Sequence, residues 1–466
     1  MFFFYGYIIC ALYLLFLSYI TIILHFCNKI NVLRKLIYVS CFSVSLHITI
    51  KNQCLFFIII SYAFIGDKTM SKINKILSVF SFFLIILTLF TFYPIYADDL
   101  NLNSRSCVVF DRLSKHILYG KNEKNKVKMA STTKIMTAIV VIENTSLDKT
   151  VEVSKKSAGT GGSRLGLKTG DKITIRDLLY GLLLSSGNDS AICLAESVSG
   201  NVANFVNQMN QKAKELGLTN THFESPHGLD SPEHYTSAYE LAILTDYALK
   251  NSTFLNMVNT KHYTVTINGA PKNLTNTNEL LGNLDGVYGV KTGFTNGANR
   301  CLVTACKRGK MDIICVVLGA DTKNFRTKDS MKLIEYSFKT YEYFPIKDFI
   351  TSYLAEWEKE NLNFFHIEKG NNPSLKIRID SSLEQLPIIP IKKDLIPTIE
   401  ANLSMKKYLK APILQENRIG NLQLMSQGIT IANFDIFPDK NVEKMNMFNY
   451  LIDFLKFYPS YLQIEM

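Results

Sequence analysis

The 466-residue sequence contains no Cys-x-x-Cys or Cys-x-x-His pair, so the closely spaced thiolate sets of cysteine zinc sites are missing. Its nine cysteines are odd in number and widely scattered, which excludes a dense disulfide framework. Cys107, Cys193, Cys301, Cys306 and Cys315 lie in apolar or strand-like contexts and are expected to be buried free thiols. There is no glycine period and no shortage of aromatic or branched aliphatic residues, which rules out collagen-like and disordered chains. Acidic residues are scarce at one end only. Residues 1–97 hold seven basic residues and a single acid, Asp67, so the net charge of +11 drops to +5 for the remainder. No basic block follows, and nucleic acid is not expected as a partner. At this length the chain has room for two or three domains.

Long apolar runs are concentrated in the first 97 residues. Met70, Lys72 and Lys75 precede an uncharged run over 76–96 that ends at Ala97. This is the layout of a secretory signal over 70–97, with Ile95 and Ala97 where a signal peptidase reads. Cleavage after Ala97 leaves an exported chain of about 370 residues. Residues 2–26 are long enough to span a bilayer, and 36–65 are broadly apolar. A signal peptide does not normally follow two spans. Translation is therefore expected to start at Met70, with 1–69 an upstream extension.

Beyond the signal, strands are predicted over 107–111 and 116–120, and helices over 131–143, 176–184, 189–198, 205–216 and 238–250. Strands over 286–295, 300–307 and 311–318 and a last helix over 327–343 complete the segment 98–345. Strands flank a block of helices, so the class is α+β, an antiparallel sheet packed with helices. After residue 345 helical signals thin out. Short strands at 375–379, 386–391, 398–403, 419–424 and 429–433 indicate a small all-β domain over 346–440. Within 441–466, residues 445–458 return to helical period. Asn446, Asn449, Asp453 and Lys456 form one narrow polar stripe, which suits a helix lying in a membrane interface; packing on the β domain is the alternative.

Ser131-Thr-Thr-Lys134 places a hydroxyl and an amine one helical turn apart on the same face. A serine needs a base, and a lysine becomes one when burial and neighbouring cations lower its pKa. Ser146–Lys149 and Ser404–Lys407 match the same letters, but only Ser131 opens a buried helix. Ser186-Gly-Asn188 sits at a break between two apolar helices, whereas Ser199-Gly-Asn201 reads as a glycine stop. Lys291-Thr-Gly293 lies in a strand-like run with Phe294-Thr295 after it, whereas Lys168-Thr-Gly170 reads as a turn. The ordered trio, each member on a suitable element, carries the signal.

With these motifs the chain resembles the serine D-alanyl-D-alanine carboxypeptidases, the low-molecular-mass penicillin-binding proteins. The matching stretches are Ala130-STTKIMTA-Ile139, Leu182-LLSSGNDSA-Ile192, Phe223-ESPHGLD-Ser231, His234-YTSAYELA-Ile243 and Val290-KTGFT-Asn296; Ala411-PILQENRIGNLQL-Met425 looks like the family's C-terminal β domain. The resemblance implies a β-lactamase/transpeptidase-like catalytic domain, no cofactor or metal, and removal of the terminal D-Ala from peptidoglycan stem peptides at the outer face of the cytoplasmic membrane. It implies covalent binding of β-lactams. Ser131 would be the nucleophile, Lys134 the base, and Ser186 and Asn188 the relay. Lys291 and Thr292 would attract the terminal carboxylate, and Arg326 would add charge for it. Gly293 would allow close approach of the strand, and the N–H groups of Ser131 and Phe294 would form the oxyanion hole.

A serine β-lactamase shares this machinery but needs a glutamate in an Glu-x-x-x-Asn context. The match, Glu279 to Asn283, falls too close to Lys291. A catalytically silent peptidoglycan-binding protein is disfavoured by the intact Ser131, Lys134 and Lys291. His222, His227 and His234 are spaced by five and seven, which fits no metal motif.

Overall fold

Residues 301–306 and 313–320 are apolar or small at nearly every position, a pattern that requires a sheet covered on both faces. The computed structural model describes residues 100–452 apart from 362–363, 372–374, 381–382, 384–387 and 449. The signal segment and residues 1–69 lie outside the described residues. In chain order the strands of the first part are β1 (Ser106–Asp111), β2 (Ile117–Lys121), β3 (Thr150–Glu152), β4 (Lys172–Thr174), β5 (His262–Ile267), β6 (Ala270–Thr275), β7 (Val287–Thr295), β8 (Asn299–Arg308) and β9 (Met311–Ala320). The helices are α1 (Lys134–Asn144), α2 (Lys155–Ala158), α3 (Ile175–Leu183), α4 (Asn188–Ser199), α5 (Val202–Glu215), α6 (Ala238–Ala248), α7 (Ser252–Val258) and α8 (Lys323–Thr340).

Five antiparallel strands form the main sheet in the order β2-β1-β9-β8-β7. Successive side chains point to opposite faces, and each face has its own core. Val108, Phe110, Val303, Ile314 and Val316 pack with the helix block, which includes Ile135 and Ile139 of α1. Val109, Leu302, Cys315 and Val317 pack with Leu333 and Ile334 of α8. Residues 134–141 of α1 are all buried, as expected for a central helix. The five described cysteines are buried and free, and burial raises each thiol.

The predicted elements agree to within a few residues, with three differences. First, the helix over 327–343 begins earlier and stops at Thr340. Tyr341–Phe344 is instead strand β10, paired with β13 (Ile389–Lys392). Secondly, a helix, α9 (Ile346–Glu360), stands where helical signals were expected to thin out; its Ile346 and Ile350 join Leu422, Leu424, Phe434 and Ile436 in a third core. The C-terminal part is thus strand-rich without being all-β. Its other strands are β11 (His366–Glu368), β12 (Ile377–Ile379), β14 (Ile399–Met405), β15 (Tyr408–Lys410), β16 (Gly420–Ser426) and β17 (Ile429–Pro438), with the sheet order β12-β17-β16-β14. Thirdly, α2, α7, the strands β3, β4, β11 and β15 and the β5–β6 hairpin were not foreseen. The hairpin turns on Asn268-Gly269, both at positive φ, the Asn-Gly signal of a two-residue turn. Of the terminal helix, residues 447–448 and 450–452 are described as helical; 453–466 lie outside the described residues.

Candidate active site

Ser131 lies in a single 3-10 turn, Ala130–Thr133, that runs directly into α1. Lys134, the first residue of that helix, is fully buried. Its Nζ donates to Ser131 Oγ at 2.7 Å, Asn188 Oδ1 at 2.7 Å and the backbone oxygen of His227 at 2.8 Å. Burial chiefly, and then the Lys291 cation, hold Lys134 well below the ordinary lysine range, while Asp189 acts in the opposite direction. A neutral amine keeps two donors for Asn188 and His227 and turns its lone pair to the Ser131 hydroxyl. That is the geometry a general base requires.

The nucleophile's turn is strained and held from outside. Ala130 has φ 49°, a left-handed conformation uncommon without glycine. Its carbonyl accepts from Thr133 Oγ1 at 2.8 Å, and Thr133 Oγ1 lies 2.7 Å from Nε2 of the buried His234. His234 Nδ1 accepts from the Glu224 N–H at 2.9 Å, so the ring's proton sits on Nε2 and is donated to Thr133. Burial drives His234 down to about 4, which keeps this neutral tautomer in place. Gly228 (φ 83°) packs against the same carbonyl: a Cβ there would collide with the Ala130 oxygen and lie 2.6 Å from Thr133 Oγ1. The segment 223–231 is further tied down by Asn210, which exchanges two 2.8 Å hydrogen bonds with the Phe223 backbone, and by Thr137 Oγ1 donating to Pro226 O.

Asn188 opens α4 and faces Lys134 because the chain breaks at Ser186, which has φ 58°. Its Nδ2 donates to Gly161 O at 2.7 Å, and a Cβ on Gly162 (φ 82°) would come within 2.6 Å of that nitrogen. The next residue, Asp189, is fully buried. Its carboxylate accepts from the backbone N–H groups of Leu165, Gly166 and Leu167 at 2.8, 2.7 and 3.1 Å. One buried acid therefore pins residues 165–167, in the loop that also holds Gly161 and Gly162 against Asn188. Sequence reading missed Asp189; its only signal was an unexplained acid at a buried helix start.

Strand β7 forms the opposite wall. A Cβ on Gly293 would sit 3.2 Å from Met129 O, Ala130 Cβ and Ser131 N, so the strand passes the nucleophile's amide with no room to spare. Lys291 is buried, donates to Thr292 O at 3.0 Å, and is lowered to about 7 by burial and then by Arg326. Thr292 Oγ1 lies 2.7 Å from Thr277 Oγ1. Arg326 projects from α8 and is 4% exposed; its Nε and Nη2 have no hydrogen-bond partner, and Glu279 Oε2 stands 3.5 Å from Nη2. This Nε/Nη2 edge, without a hydrogen bond and with only the longer ion pair to Glu279, has the shape for two parallel bonds to a carboxylate. The Phe294 ring is exposed, with the Arg300 guanidinium 3.6 Å over it.

Ser131, Lys134 and Asn188 are thus joined directly by hydrogen bonds. Lys134, Lys291 and Arg326 form a succession of buried basic groups, each lowering the next, Lys291 acting on Lys134 and Arg326 on Lys291. Ser186 is mostly buried at the break before α4, and among the described residues no hydrogen bond links it to Ser131 or Lys134. The histidines serve other ends: His222 Nδ1 donates to Glu233 O, His227 offers its backbone oxygen to Lys134, and His234 supports the turn. Glu279 is engaged by Lys323, Arg326 and Thr327, and Glu224 by Ser231 and the Glu233 N–H, so neither glutamate is hydrogen-bonded to Ser131.

The family described as D-alanyl-D-alanine carboxypeptidase matches residues 95–322. The D-alanyl-D-alanine carboxypeptidase DacF of Bacillus subtilis is 32% identical over 361 residues, covering 76% of this chain and 89% of that protein. Among solved structures, the D-alanyl-D-alanine carboxypeptidase DacD from Francisella tularensis aligns with a TM-score of 0.59 at 26% identity, over 74% of this chain and 94% of that one. Penicillin binding protein 5 from Haemophilus influenzae aligns with a TM-score of 0.58 at 27% identity, over 74% of this chain and 98% of that one.

Proposed function

The chain belongs to the D-alanyl-D-alanine carboxypeptidase family, and from that premise we propose how its residues divide the reaction. The enzyme is a serine D-Ala-D-Ala carboxypeptidase. Its substrate is the peptidoglycan stem peptide ending in D-Ala-D-Ala, and β-lactams acylate the same serine.

Ser131 Oγ attacks the carbonyl of the penultimate D-Ala while Lys134 Nζ takes the hydroxyl proton. The 2.7 Å contact between a buried, depressed lysine and the serine is the observation that carries this assignment. The tetrahedral oxyanion is held by the N–H groups of Ser131 and Phe294, a role supported by the tight approach of Gly293 to the Ser131 amide. Collapse expels D-Ala, whose amine receives the proton through Lys134 with Ser186 and Asn188 alongside. Water then attacks the ester with Lys134 again as base, and Ser131 regains its proton. Lys291, Thr292 and Arg326 receive the terminal carboxylate, supported by a guanidinium edge that makes no hydrogen bond and only the 3.5 Å ion pair to Glu279.

The experiment that tests the whole reading is incubation with fluorescent penicillin and with a D-Ala-D-Ala peptide. Wild type is expected to label covalently and release D-Ala, and Ser131→Ala to do neither. Labelling that survives in Ser131→Ala removes the nucleophile assignment. Arg326→Gln is expected to raise KM roughly tenfold or more with kcat little changed, because a charge-assisted pair to the substrate is lost. A substrate ending in D-alaninamide should not feel that substitution. If both substrates weaken equally, Arg326 has only a structural role. Asp189→Asn is expected to shift the acid limb of kcat/KM to lower pH, since the carboxylate is what opposes the lowering of Lys134. An unmoved limb removes Asp189 from the electrostatics of the site.

We also read residues 98–345 as the catalytic domain, 346–440 as the accompanying strand-rich domain, and the working location as extracytoplasmic after removal of the 70–97 signal. The terminal segment 441–466 is read as a helix lying in the membrane interface. In support, Met447, Phe448 and Leu451 are 89%, 70% and 54% exposed. Among the described residues no helix is long and apolar enough to cross a membrane.

A further inference from the structure

The turn that leads into the terminal helix is built into the strand-rich part. Met445 N donates to Lys369 O, Asn371 N to Glu443 O, and Val442 N to Ile413 O, at 2.8, 3.0 and 2.8 Å. Lys369 directly follows β11, which pairs in parallel with β15: His366 opposite Tyr408, Ile367 opposite Leu409, Glu368 opposite Lys410. Strand alternation then separates the two faces of this ribbon. Ile367 and Leu409 turn inward to the third core, while His366, Tyr408, Glu368 and Lys410 turn out. Tyr408 is 73% exposed, its ring edge-on to His366 with centroids 5.7 Å apart. On or beside these strands and the turn, Lys369, Lys406, Lys407, Lys410 and Lys444 are all exposed, against the two exposed acids Glu368 and Glu443.

We propose that this region, the outward side of β11 and β15 with the exposed lysines on and beside them, is a second contact with an anionic phospholipid surface, adjoining the terminal helix. The inference rests on the reading of that helix as interfacial and extends it to the folded domain. Two features favour lipid over another occupant. The face is continuous through three backbone hydrogen bonds with the segment that carries the exposed apolar side chains. It also combines an exposed tyrosine, whose ring suits the headgroup level, with long lysines that lay their stems on apolar surface and their charge among phosphates. A helix alone supplies apolar burial with little charge, since its described apolar residues adjoin only Lys444. The lysine face supplies the attraction to anionic lipid that a single shallow anchor lacks.

The test uses the full chain and two kinds of vesicle, phosphatidylcholine alone and phosphatidylcholine with one third phosphatidylglycerol, read by co-sedimentation. Wild type is expected to bind the anionic vesicles at least about tenfold more strongly. The combined variant Lys407→Glu, Lys410→Glu, Lys444→Glu is expected to lose that preference, to bind neutral vesicles unchanged, and to cleave a soluble D-Ala-D-Ala peptide at the wild-type rate. Phe448→Asp with Leu451→Asp tests the helix separately, by loss of binding to both vesicles. If the aspartate variant binds as wild type while the glutamate variant loses its preference, the helix reading fails and the face stands. If the glutamate variant keeps the wild-type preference, the face is overturned and the helix remains. Equal binding of wild type to both vesicles, with tight binding to a soluble glycerol-phosphate polymer, also overturns the lipid assignment.

Discussion

Lys134→Met lowers kcat/KM by about four orders of magnitude, the upper range for loss of a positioned base, and leaves the protein folded. The thioether chain fills nearly the same volume, and the site no longer buries an amine that water would solvate better. Acylation by penicillin falls in parallel, because the same proton leaves Ser131 in both reactions. The pH dependence carries the sharper signature. The base works only when neutral. With Lys134 held well below its ordinary value, activity is present above the depressed pKa and is lost as pH falls through it. In Lys134→Met that limb disappears from the residual rate. Stability follows the same linkage: between the depressed folded value and the ordinary 10.5, the unfolded chain binds the additional proton, so wild-type stability rises with pH across that window. The variant loses this slope and is at least as stable as wild type at neutral pH. A kcat/KM within tenfold of wild type, or an unchanged acid limb, refutes Lys134 as the base.

Gly228→Ala acts without touching substrate. Its Cβ would fall on the Ala130 carbonyl and against Thr133 Oγ1, and the backbone there is at φ 83°. Both effects point the same way: a left-handed position made costly and a close backbone contact that must open. The expected loss of stability is about 2–4 kcal/mol. Relief of the clash requires the 130–133 turn to move away from the 223–231 segment, which carries Ser131 away from Lys134 and from the β7 wall. A displacement near 1 Å is enough for a loss of about 10²-fold in kcat. Thermal unfolding and penicillin acylation rate check the two parts, and Gly217→Ala, at φ 71° with nothing within 4 Å, separates them. That control carries the backbone penalty alone and keeps wild-type acylation. If Gly228→Ala acylates at the wild-type rate, the turn is not held by this contact.

Much of this site was legible before folding because its parts are local. Ser131 and Lys134 are three residues apart, so the start of a helix is enough to bring them together. Ser186-Gly-Asn188 marks a helix break by composition alone. Lys291-Thr-Gly293 lies in a run that can only be a strand. The doubly covered β8 and β9 were equally readable, since they alternate nothing. The hidden part was what neighbours impose. Asp189 looked like any acid at a helix start until three N–H groups of a loop more than twenty residues away converged on it. His234 had no assigned role beyond failing a metal motif until Thr133 and the Glu224 amide fixed its tautomer. α9 was missed because its charged residues dilute the signal of the few that are buried, Ile346 and Ile350.

The sequence by itself determined the chemistry: a hydroxyl and an amine on one helical turn, a polar break to face them and a basic strand to receive an anion, in an order that names the family. Tertiary structure alone decided that the amine can act as a base. Its pKa depends on burial, on Lys291 more than 150 residues away and on Asp189, and electric fields add over space, not along the chain. The same holds for the strained turn at Ala130, which no local preference would choose. It persists because Gly228 and His234 hold it from a distant segment of the chain.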